Sequence, residues 1–402
     1  MKKIDNIIIG AGISGLTIAL KLKEAGEEFI ILEAEGYVGG SIRSTFENGY
    51  IFDHGFQVYN TAYKFGKVIL DYEKLKLCNF KPGAKIYQDS KFQTISDPLR
   101  DFGKLYETLI SPISNLSDKL KILQLKIKLR NYDLSKDDGL DCTTLEFLNN
   151  YGFSKNFIEN FFNPFFGGVF LEKKLNTSAK FFKFVFSQFN NGTVCVPKEG
   201  MQKIPNQIYK KLEEHSVILN ARIISIHDKV LETNQGEKYQ ANRVIITSNK
   251  HGILPNKKTT YNSVLCYYFV THINVKDSRY IYLFPQDDLI NNVAILSSVS
   301  ESYAPKGESL FSVTVLKNII SPENIISKIK VKLSSYFGGN AKDYEFLKHY
   351  NIKKATLSQP LNHSFNSSTI DNQYIISGEQ TTNGSIDGAI QSGLNATAFI
   401  LK

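Results

Sequence analysis

The stretch that most constrains the fold lies near the N-terminus, between Lys3 and Glu33. It consists of an apolar run, the turn GAGISG at residues 10–15, a helical pattern at residues 16–23 and a second apolar run that ends at Glu33. Because two parallel strands need a crossover connection, this order predicts a strand, a turn, a helix and a second, parallel strand. The turn follows the pattern Gly-x-Gly-x-x-Gly, which binds dinucleotides when a strand precedes it and a helix follows it. The sequence therefore predicts a Rossmann-like βαβ unit.

The residues of this turn have separate expected roles in holding a diphosphate. Gly10 permits the tight turn, Gly12 lets the backbone approach the pyrophosphate, and Gly15 lets the helix pack closely on the sheet. Ile13 and Ser14 lie in the first helical turn, where backbone N–H groups have no intrahelical partner and attract an anion. The pattern alone does not distinguish FAD from NAD.

An acidic residue completes the predicted nucleotide site. Glu33 ends the second strand about 20 residues past the glycines, where a carboxylate accepts hydrogen bonds from both ribose hydroxyls of adenosine and repels a 2′-phosphate. Ala34, which follows it, is included in this site.

Composition and charge exclude several classes of protein. With 402 residues, 42% of them hydrophobic and 22% charged, the chain is long enough for two or three globular domains. The longest apolar run, residues 7–20, contains glycines and is too short to cross a bilayer, so a cytoplasmic protein is expected. The net charge of +9 is spread over a generally lysine-rich chain without a nucleic-acid motif, so no nucleic acid is predicted as a partner. Four scattered cysteines indicate neither a disulfide framework nor a metal site.

Two further motifs follow the predicted βαβ unit. Residues 39–44 read GGSIRS, in which Gly40 again allows close approach of the backbone and Arg43 can pair with a diphosphate or cover the edge of a ring. Residues 53–57 read DHGFQ and begin directly after a short apolar run. Near the C-terminus, Gly378 and Glu379 end an apolar run, and a glycine-rich helical segment follows at residues 383–393.

The order of these motifs resembles the FAD-dependent amine oxidase superfamily, which includes protoporphyrinogen oxidases and phytoene-type desaturases. The resemblance rests on the glycine turn, the acid, Gly-Gly-x-x-Arg-Ser, Asp-x-Gly-Phe and the closing glycine motif, so it spans nearly the whole chain. It implies an α/β fold, with a Rossmann-like FAD-binding domain of the GR2 type and an inserted α+β substrate domain. It also implies FAD as the cofactor. Non-covalent binding of the flavin is expected, because no cysteine lies in the C-terminal motif and His54 is the only nearby candidate for a covalent link.

The resemblance assigns expected positions to further site residues. Gly55 and Phe56, with His54 and Gln57 beside them, are expected next to the isoalloxazine ring, and Ile223 is expected to contact adenine through its backbone. Glu379 stands where the family usually has an aspartate that binds the ribityl chain, so its longer side chain puts that contact in doubt. The following residues are expected at a helix N-terminus that faces the flavin: Ile386, Gly388 and Ala389.

The domains are expected to be discontinuous in sequence. Residues 1–62, 190–260 and 355–402 are predicted to form the FAD-binding domain, and residues 63–189 and 261–354 the substrate-binding domain. Within these segments a helix is expected at 206–214, a strand at 217–226, a strand at 293–299, and a helix at 322–337 with Ser321 as its N-cap.

Two segments of the predicted substrate domain are rich in apolar side chains. Residues 157–189 are dense in phenylalanine, and the pattern leaves open whether these rings form ordinary core or line a pocket for a lipophilic substrate. Residues 116–130, from Leu116 to Arg130, have apolar side chains on two opposite helical faces with lysines between them. Such a helix suits either the interior of a domain or peripheral contact with a membrane, and residues 125–130 alone also suit a strand.

The chemistry expected of the site is that of the flavin. Among seven histidines no triad or metal-binding spacing stands out, and His54 and Gln57 are the weak catalytic candidates, with a structural role favoured for His54. The first hypothesis is oxidation of a lipophilic substrate of isoprenoid or carotenoid type by hydride transfer to flavin N5. Alternatives are an amine oxidase, which the absence of tryptophan disfavours, and a protoporphyrinogen oxidase. A second alternative is a non-catalytic prenyl-lipid-binding protein of the same fold. This alternative is disfavoured by the intact glycine turn, Glu33 and Arg43, because a protein that binds no dinucleotide would not need them. The sequence leaves the electron acceptor and the oligomeric state open.

Overall fold

The computed structural model describes residues 2–97, 100–101, 103, 105–248, 259–275, 278–316, 322–365, 370–371 and 373–402. The strands, in chain order, are β1 (Lys2–Ile9), β2 (Phe29–Leu32), β3 (Ser44–Glu47), β4 (Tyr50–Asp53), β5 (Tyr59–Asn60), β6 (Leu77–Asn79), β7 (Gly83–Gln88), β8 (Lys91–Ser96), β9 (Val194–Pro197), β10 (Val217–Ile218), β11 (Ile223–His227), β12 (Val230–Thr233), β13 (Lys238–Ile246), β14 (Tyr261–Thr271), β15 (Ile281–Leu283), β16 (Ile290–Ile295), β17 (Ser309–Val315), β18 (Glu345–Leu357), β19 (Ile370–Asp371) and β20 (Tyr374–Ile376). The helices are α1 (Ile13–Glu24), α2 (Gly66–Ile69), α3 (Tyr72–Leu75), α4 (Leu105–Ile110), α5 (Leu116–Lys128), α6 (Thr144–Tyr151), α7 (Lys155–Phe157), α8 (Asn163–Phe170), α9 (Ala179–Asn191), α10 (Lys203–Tyr209), α11 (Leu296–Val299), α12 (Pro322–Phe337) and α13 (Ile386–Ile400).

The first sheet is built around the predicted βαβ unit, which the structure confirms as β1, α1 and β2. Strand β1 pairs in parallel with β2 on one side and with β13 on the other, and β10 extends the sheet beyond β2. The far edge of β13 pairs with antiparallel β12 at one end and with parallel β20 at the other. Ile7, Ile8, Val244 and Ile245 are fully buried, as expected of parallel strands covered on both faces. Helices α1 and α13 pack against each other closely, since an added Cβ on Gly393 would lie 2.8 Å from the Ser14 carbonyl oxygen.

The second sheet has the strand order β18-β14-β17-β16-β15-β7-β8 and is antiparallel except where β15 meets β7. Its buried aromatic and aliphatic side chains pack against α12, where Ile329 and Leu333 are fully buried. Helices α7 and α8 are joined by a π-helical turn (Ile158–Phe162), and this stretch packs on α9 through phenylalanine rings. The second unit is therefore a sheet with helices, the α+β pattern that the sequence predicts.

The strands of the two sheets come from different parts of the chain. Every strand of the first sheet lies within residues 2–32, 217–246 or 370–376, and those of the second lie within residues 83–96 or 261–357. A small three-stranded sheet, β5-β9-β6, is formed by residues 59–60, 194–197 and 77–79, which lie outside both groups of segments. The division of the chain into two discontinuous domains, with its boundaries, stays a prediction.

Four local expectations differ from the structure. The strand expected at 217–226 is two strands, β10 and β11, because Asn220 adopts a left-handed φ of 58° and turns the chain between them. Helix α10 spans Lys203–Tyr209 instead of 206–214, and its first turn tolerates Pro205 because N–H groups there need no intrahelical partner. The strand expected at 293–299 ends at Ile295, where α11 begins. Residues 125–128 belong to helix α5, so a strand there is wrong.

Helix α12 has the predicted bounds, Pro322 to Phe337. Its predicted N-cap, Ser321, lies outside the described residues.

Candidate active site

The glycine turn lies at the carboxyl edge of the first sheet, between β1 and α1. An added Cβ on Gly15 would lie 2.0 Å from the Gly10 carbonyl oxygen, so a side chain there would force the helix away from the turn. Gly12 is different, because its φ of −73° and ψ of 177° suit any residue and an added Cβ would meet nothing within 4 Å. Helix α1 has no side-chain N-cap hydrogen bond and no acidic residue in its first turn. Its N-terminus is therefore an open site for an anion such as a diphosphate.

Glu33 is held beside this turn by the backbone. Its two carboxylate oxygens accept hydrogen bonds from the N–H groups of Ala11, at 2.6 Å, and Glu35, at 2.9 Å. Burial raises the pKa of the Glu33 carboxyl, and these two N–H groups act in the opposite direction. The Glu33 carbonyl also accepts from Ala221 N–H at 2.7 Å, which ties the end of β2 to the segment that leads into β11. The carboxylate is thus fixed in place with capacity left to accept from ribose hydroxyls.

The second glycine segment packs directly on the first. Gly39 N–H donates to the Ala11 carbonyl at 2.8 Å, and an added Cβ on Gly40, whose φ is 61°, would lie 3.2 Å from the Gly12 Cα. The Arg43 guanidinium lies over the Tyr37 ring, 3.6 Å from its centroid. The Arg43 guanidinium is thus oriented by the Tyr37 ring, and both residues line the same cavity as the N-terminus of α1, where a cation can pair with a diphosphate.

The loop that contains His54 begins at a buried carboxyl. Asp53 accepts hydrogen bonds from Ser44 Oγ at 2.5 Å, Tyr303 Oη at 2.7 Å and Met201 N–H at 3.0 Å, and burial raises its pKa to about 6. These bonds fix the start of the loop against β3 and against the turn before α10.

His54 itself is packed and neutral. Its ring stacks on Tyr350 with 4.2 Å between centroids, and Nε2 lies 2.9 Å from Thr45 Oγ1. Burial, with smaller contributions from the positive charges of Arg43 and Lys348, lowers the pKa of His54 to about 4. At neutral pH the imidazole therefore carries no charge.

Two amides in the same region have buried polar atoms without a partner among the described residues. Gln57 Nε2 donates to the carbonyls of Ser41, at 2.8 Å, and His54, at 3.1 Å, but its Oε1 is buried and unpaired. Asn60 Oδ1 accepts from Ala62 N–H at 2.8 Å, while its Nδ2 is buried and unpaired. Buried polar atoms are nearly always hydrogen-bonded. Both amides line the cavity described below, so these two atoms indicate that a polar ligand completes this part of the site.

The C-terminal motif closes the site from the side of α13. Gly378 has a φ of 110°, and an added Cβ would lie 2.3 Å from the Thr247 carbonyl oxygen. The Ser385 hydroxyl caps α13 by accepting the Gly388 N–H at 2.9 Å, and Asp387 accepts the N–H groups of Phe65 and Gly66, both at 2.8 Å. The α13 N-terminus is thus partly satisfied within the protein, in contrast to that of α1.

One cavity of about 1580 Å³ joins these elements. Most of the cofactor-binding residues predicted from the sequence line it: Gly10, Gly12, Ile13, Ser14, Glu33, Ala34, Gly40, Arg43, Gly55, Phe56, Ile223, Gly378, Glu379, Ile386 and Ala389. His54 and Gln57 line it as well. Gly15 and Gly388 do not, because each lies against backbone, and an added Cβ on Gly388 would lie 2.4 Å from the Asn383 carbonyl oxygen.

The cavity continues from the glycine turn into a lobe lined by phenylalanine. Phe161, Phe165, Phe184 and Phe189 line this lobe, whereas Phe162 lies in the fully buried core beside it. The phenylalanine-rich segment therefore provides both core and cavity lining. Typical ligand pockets have roughly 300 to 1000 Å³, so this cavity has room for a dinucleotide and a second, apolar molecule.

Some cavity residues have no signal in the sequence analysis. Tyr37, Asn60 and Thr247 line the cavity. The Tyr37 ring lies under the Arg43 guanidinium, and Asn60 Nδ2 has no hydrogen-bond partner among the described residues. Only Thr247 was open to prediction, because it directly follows β13 at the carboxyl edge of a parallel sheet, where ligands bind.

Comparison with known proteins places this geometry in context. Residues 13–401 match the family model of flavin-containing amine oxidoreductases. A putrescine oxidase structure superposes with a TM-score of 0.74 at 17% identity, covering 100% of this chain and 99% of that one. A protoporphyrinogen oxidase-like protein from Exiguobacterium superposes with a TM-score of 0.75 at 15% identity, covering 99% of this chain and 98% of that one. Protoporphyrinogen oxidase 2 of Arabidopsis thaliana is 50% identical over 48 residues, which is 12% of this chain and 9% of the plant protein.

No helix in the described ranges is long and apolar enough to span a bilayer. The same part of the chain contains no group of three or more His, Cys, Asp or Glu side chains placed to hold a metal ion.

Proposed function

Because the chain belongs to the flavin-containing amine oxidoreductase family, we propose that this FAD-dependent oxidoreductase oxidises a lipophilic substrate, in the manner of desaturases of isoprenoid or carotenoid compounds. The observation that carries the proposal is the single cavity that links the glycine turn and Glu33 to the phenylalanine-lined lobe. Flat apolar side chains bind a polyene or polycyclic molecule by contact area without requiring polar groups from it.

The described residues fit FAD. The open N-terminus of α1 and Arg43 suit its diphosphate, Glu33 suits its adenosine ribose, and the unpaired amide atoms of Gln57 and Asn60 offer partners for polar ligand groups. When bound, FAD supplies hydride acceptance at N5. No cysteine is among the described residues that line the cavity, and His54 is stacked on Tyr350, so we expect non-covalent binding.

The contribution of the protein to the reaction is placement and exclusion of water. The lobe is lined by apolar rings, so a hydrocarbon that enters it is held dry and against the flavin end of the cavity. His54, neutral at pH 7, and Gln57 are held by hydrogen bonds and stacking, and both keep only a positioning role in this proposal.

The charges that line the cavity count against an amine as the substrate. Asp97, the carboxylate near the apolar lobe, already pairs with Lys126 at 2.7 Å and with Arg100 at 3.6 Å. Lys81 and Lys119 also line the cavity. A cationic amine would meet net positive charge here, whereas a neutral hydrocarbon would not. The likeness to putrescine oxidase therefore supports the fold more than it supports that substrate.

A porphyrinogen is the second candidate for the substrate. The local identity to a plant protoporphyrinogen oxidase favours it, and a large, flat molecule also suits the phenylalanine lobe. The non-catalytic lipid-binding alternative is disfavoured by the family match and by the open dinucleotide site. Location of the protein in the cytoplasm and membrane contact through Leu116 to Arg130 stay predictions.

Replacing Glu33 by alanine is expected to weaken FAD binding by about 1 to 3 kcal/mol, the range for losing hydrogen bonds to a charged group. The carboxylate is buried, and in this proposal it accepts hydrogen bonds from the adenosine ribose, so the loss appears in affinity for FAD and for ADP alike. The measurement is titration of the flavin-free protein with each ligand. Glu33→Gln is the comparison variant: it keeps the length of the side chain but removes the charge and replaces one of the two acceptor oxygens by an NH2 donor, so it should weaken FAD binding as well. Unchanged FAD affinity in Glu33→Ala would mean that the ribose lies elsewhere.

The proposed reaction is tested by anaerobic mixing of the flavin-loaded protein with one substrate class at a time. We expect polyene or cyclic isoprenoid substrates to bleach the visible flavin absorbance and aliphatic diamines to leave it unchanged. Bleaching by diamines alone would overturn the lipophilic proposal in favour of amine oxidation, and bleaching by a porphyrinogen alone would select the second candidate. A folded protein that cannot be loaded with FAD would contradict the whole assignment.

A further inference from the structure

Helix α5 presents an apolar face to the outside of the molecule. Its outward side chains are strongly exposed: Leu116 by 71%, Leu120 by 55%, Leu123 by 48% and Ile127 by 70%. The opposite face carries Leu125, which is fully buried, and leads to Leu129, also buried. The helix is thus anchored through one side, and it displays a continuous apolar stripe along the other.

The helix is capped firmly at its N-terminus. Asn115 and Asp118 form a capping box, and the Asp118 carboxylate also accepts hydrogen bonds from Ser154 N–H at 2.8 Å and Ser154 Oγ at 2.6 Å. The exposed stripe is therefore part of a fixed helix.

Basic side chains flank the stripe on both sides. The helical repeat places Lys121 and Lys128 along one side and Lys119, Lys126 and Arg130 along the other. Lys126 is ion-paired with Asp97 and Lys121 donates to the Gly152 carbonyl, so Lys128 on one side and Arg130 on the other are the exposed charges that border the stripe. Asp118 is the one acidic residue between positions 116 and 130, and it is buried. An apolar stripe bordered by lysines is the pattern of a helix that lies in the interface of a bilayer, where basic side chains reach anionic headgroups.

The same face borders the mouth of the cavity. Leu116, Leu120 and Leu123 line the cavity as well as the surface, and they lead to Phe161 and Phe165 of the lobe. A lipophilic molecule that leaves a bilayer beneath α5 would remain in contact with apolar side chains until it reaches the lobe.

A second copy of the chain fits this face less well. In a two-fold dimer the same patch meets itself, so the lysine borders of one copy would face those of the other. An anionic bilayer offers the opposite charge to both borders at once. We propose that α5 docks the protein on an anionic lipid bilayer and that the cavity takes up its substrate there. The uptake step rests on the proposed function, whereas the docking step does not.

Docking is tested by sedimenting the flavin-loaded, full-length protein with vesicles. We expect binding to vesicles of phosphatidylcholine and phosphatidylglycerol in equal parts, much weaker binding to pure phosphatidylcholine, and a decrease as salt is added. Lys128→Gln with Arg130→Gln removes one charge from each border and should weaken binding about 30-fold, because each basic residue contributes about fivefold. Leu116→Ser with Ile127→Ser removes both ends of the stripe and should weaken it by about tenfold or more.

A matched control lies on α12, where Lys328 and Val331 are exposed. Lys328→Gln with Val331→Ser removes the same kinds of side chain and should bind vesicles like the wild type. Flavin content and the thermal midpoint show that each variant is folded. Equal binding by all variants would overturn the proposal, as would a concentration-dependent dimer that Leu116→Ser with Ile127→Ser abolishes.

The two proposals fail in distinguishable ways. A protein that binds anionic vesicles through α5 but is not bleached by any lipophilic substrate would overturn the substrate class and leave docking intact. A protein bleached by such substrates in detergent but indifferent to vesicles would overturn docking and leave the proposed function intact.

Discussion

The Gly12→Val variant is expected to fold and to lose its flavin. Valine fits the backbone at this position, since φ is −73° and ψ is 177°, and an added Cβ meets no protein atom within 4 Å. The space that the side chain would fill lies in the cavity, at the open N-terminus of α1. Displacing a diphosphate from these N–H groups removes several charge-assisted hydrogen bonds of about 1.5 to 3 kcal/mol each, so FAD affinity should fall at least about a hundredfold. The visible absorbance of the purified protein and titration with FAD measure the effect.

Two other glycines separate a ligand effect from a folding effect. Gly103 is exposed and does not have a positive φ, and the atom nearest to an added Cβ there would be Asp101 Oδ1, at 3.6 Å. Gly103→Val should therefore keep both the fold and the flavin. Gly15→Ala would place a methyl group 2.0 Å from the Gly10 carbonyl oxygen and should lower stability as well as flavin content. A folded Gly12→Val protein with a normal flavin content would show that the pyrophosphate does not lie at this turn.

The parts of the site that the sequence predicted are those with local signals. The βαβ unit could be recognised because strand, turn and helix follow one another within residues 3–33, and each has its own pattern. Gly40 and Arg43 could be proposed from their own motif, in which a glycine pair precedes an arginine. Gly55 could be placed near the site only through resemblance to a family, because its position depends on β3, β4 and the segment before α10. The family match now supports the cofactor, while the individual contacts remain predictions.

Tertiary packing decided what local patterns left open. The pattern of apolar residues on α5 predicted two apolar faces. Which face is buried depends on tertiary packing, because Leu125 and Leu129 pack against the phenylalanine cluster. In the same way, phenylalanines of the core and of the cavity wall follow one another in the sequence without a pattern that distinguishes them. Only tertiary packing places Phe162 in the core and Phe165 in the cavity wall. The break at Asn220 depends on a single left-handed residue, which no apolar pattern reveals.

The Asp53→Asn variant is expected to change how stability depends on pH. Burial raises the pKa of Asp53 from 3.8 to about 6, so the folded protein binds a proton more tightly than the unfolded chain does. The contribution of Asp53 to the free energy of unfolding is therefore complete below about pH 4 and is lost as the pH rises through about 6, by about 3 kcal/mol in total. Asparagine removes this titration, and its Oδ1 can still accept from Ser44 Oγ and Met201 N–H. Relative to the wild type, the variant should gain about 3 kcal/mol between about pH 4 and pH 7. Urea unfolding with FAD in excess, compared at each pH, measures the difference.

The neighbouring His54 makes a difference measurement necessary. Its pKa is lowered from 6.5 to about 4, so its contribution to stability is present above about pH 6.5 and is lost as the pH falls through about 4. The two residues therefore act in opposite directions over the same range, so their contributions partly cancel in the wild type. His54→Phe, which keeps a ring for stacking on Tyr350, should expose the Asp53 contribution as a loss of stability with rising pH. Asp53→Asn should instead expose that of His54 as a loss on acidification. Parallel profiles for the wild type and Asp53→Asn would contradict a raised pKa at Asp53, because a carboxyl with an ordinary pKa titrates equally in both states.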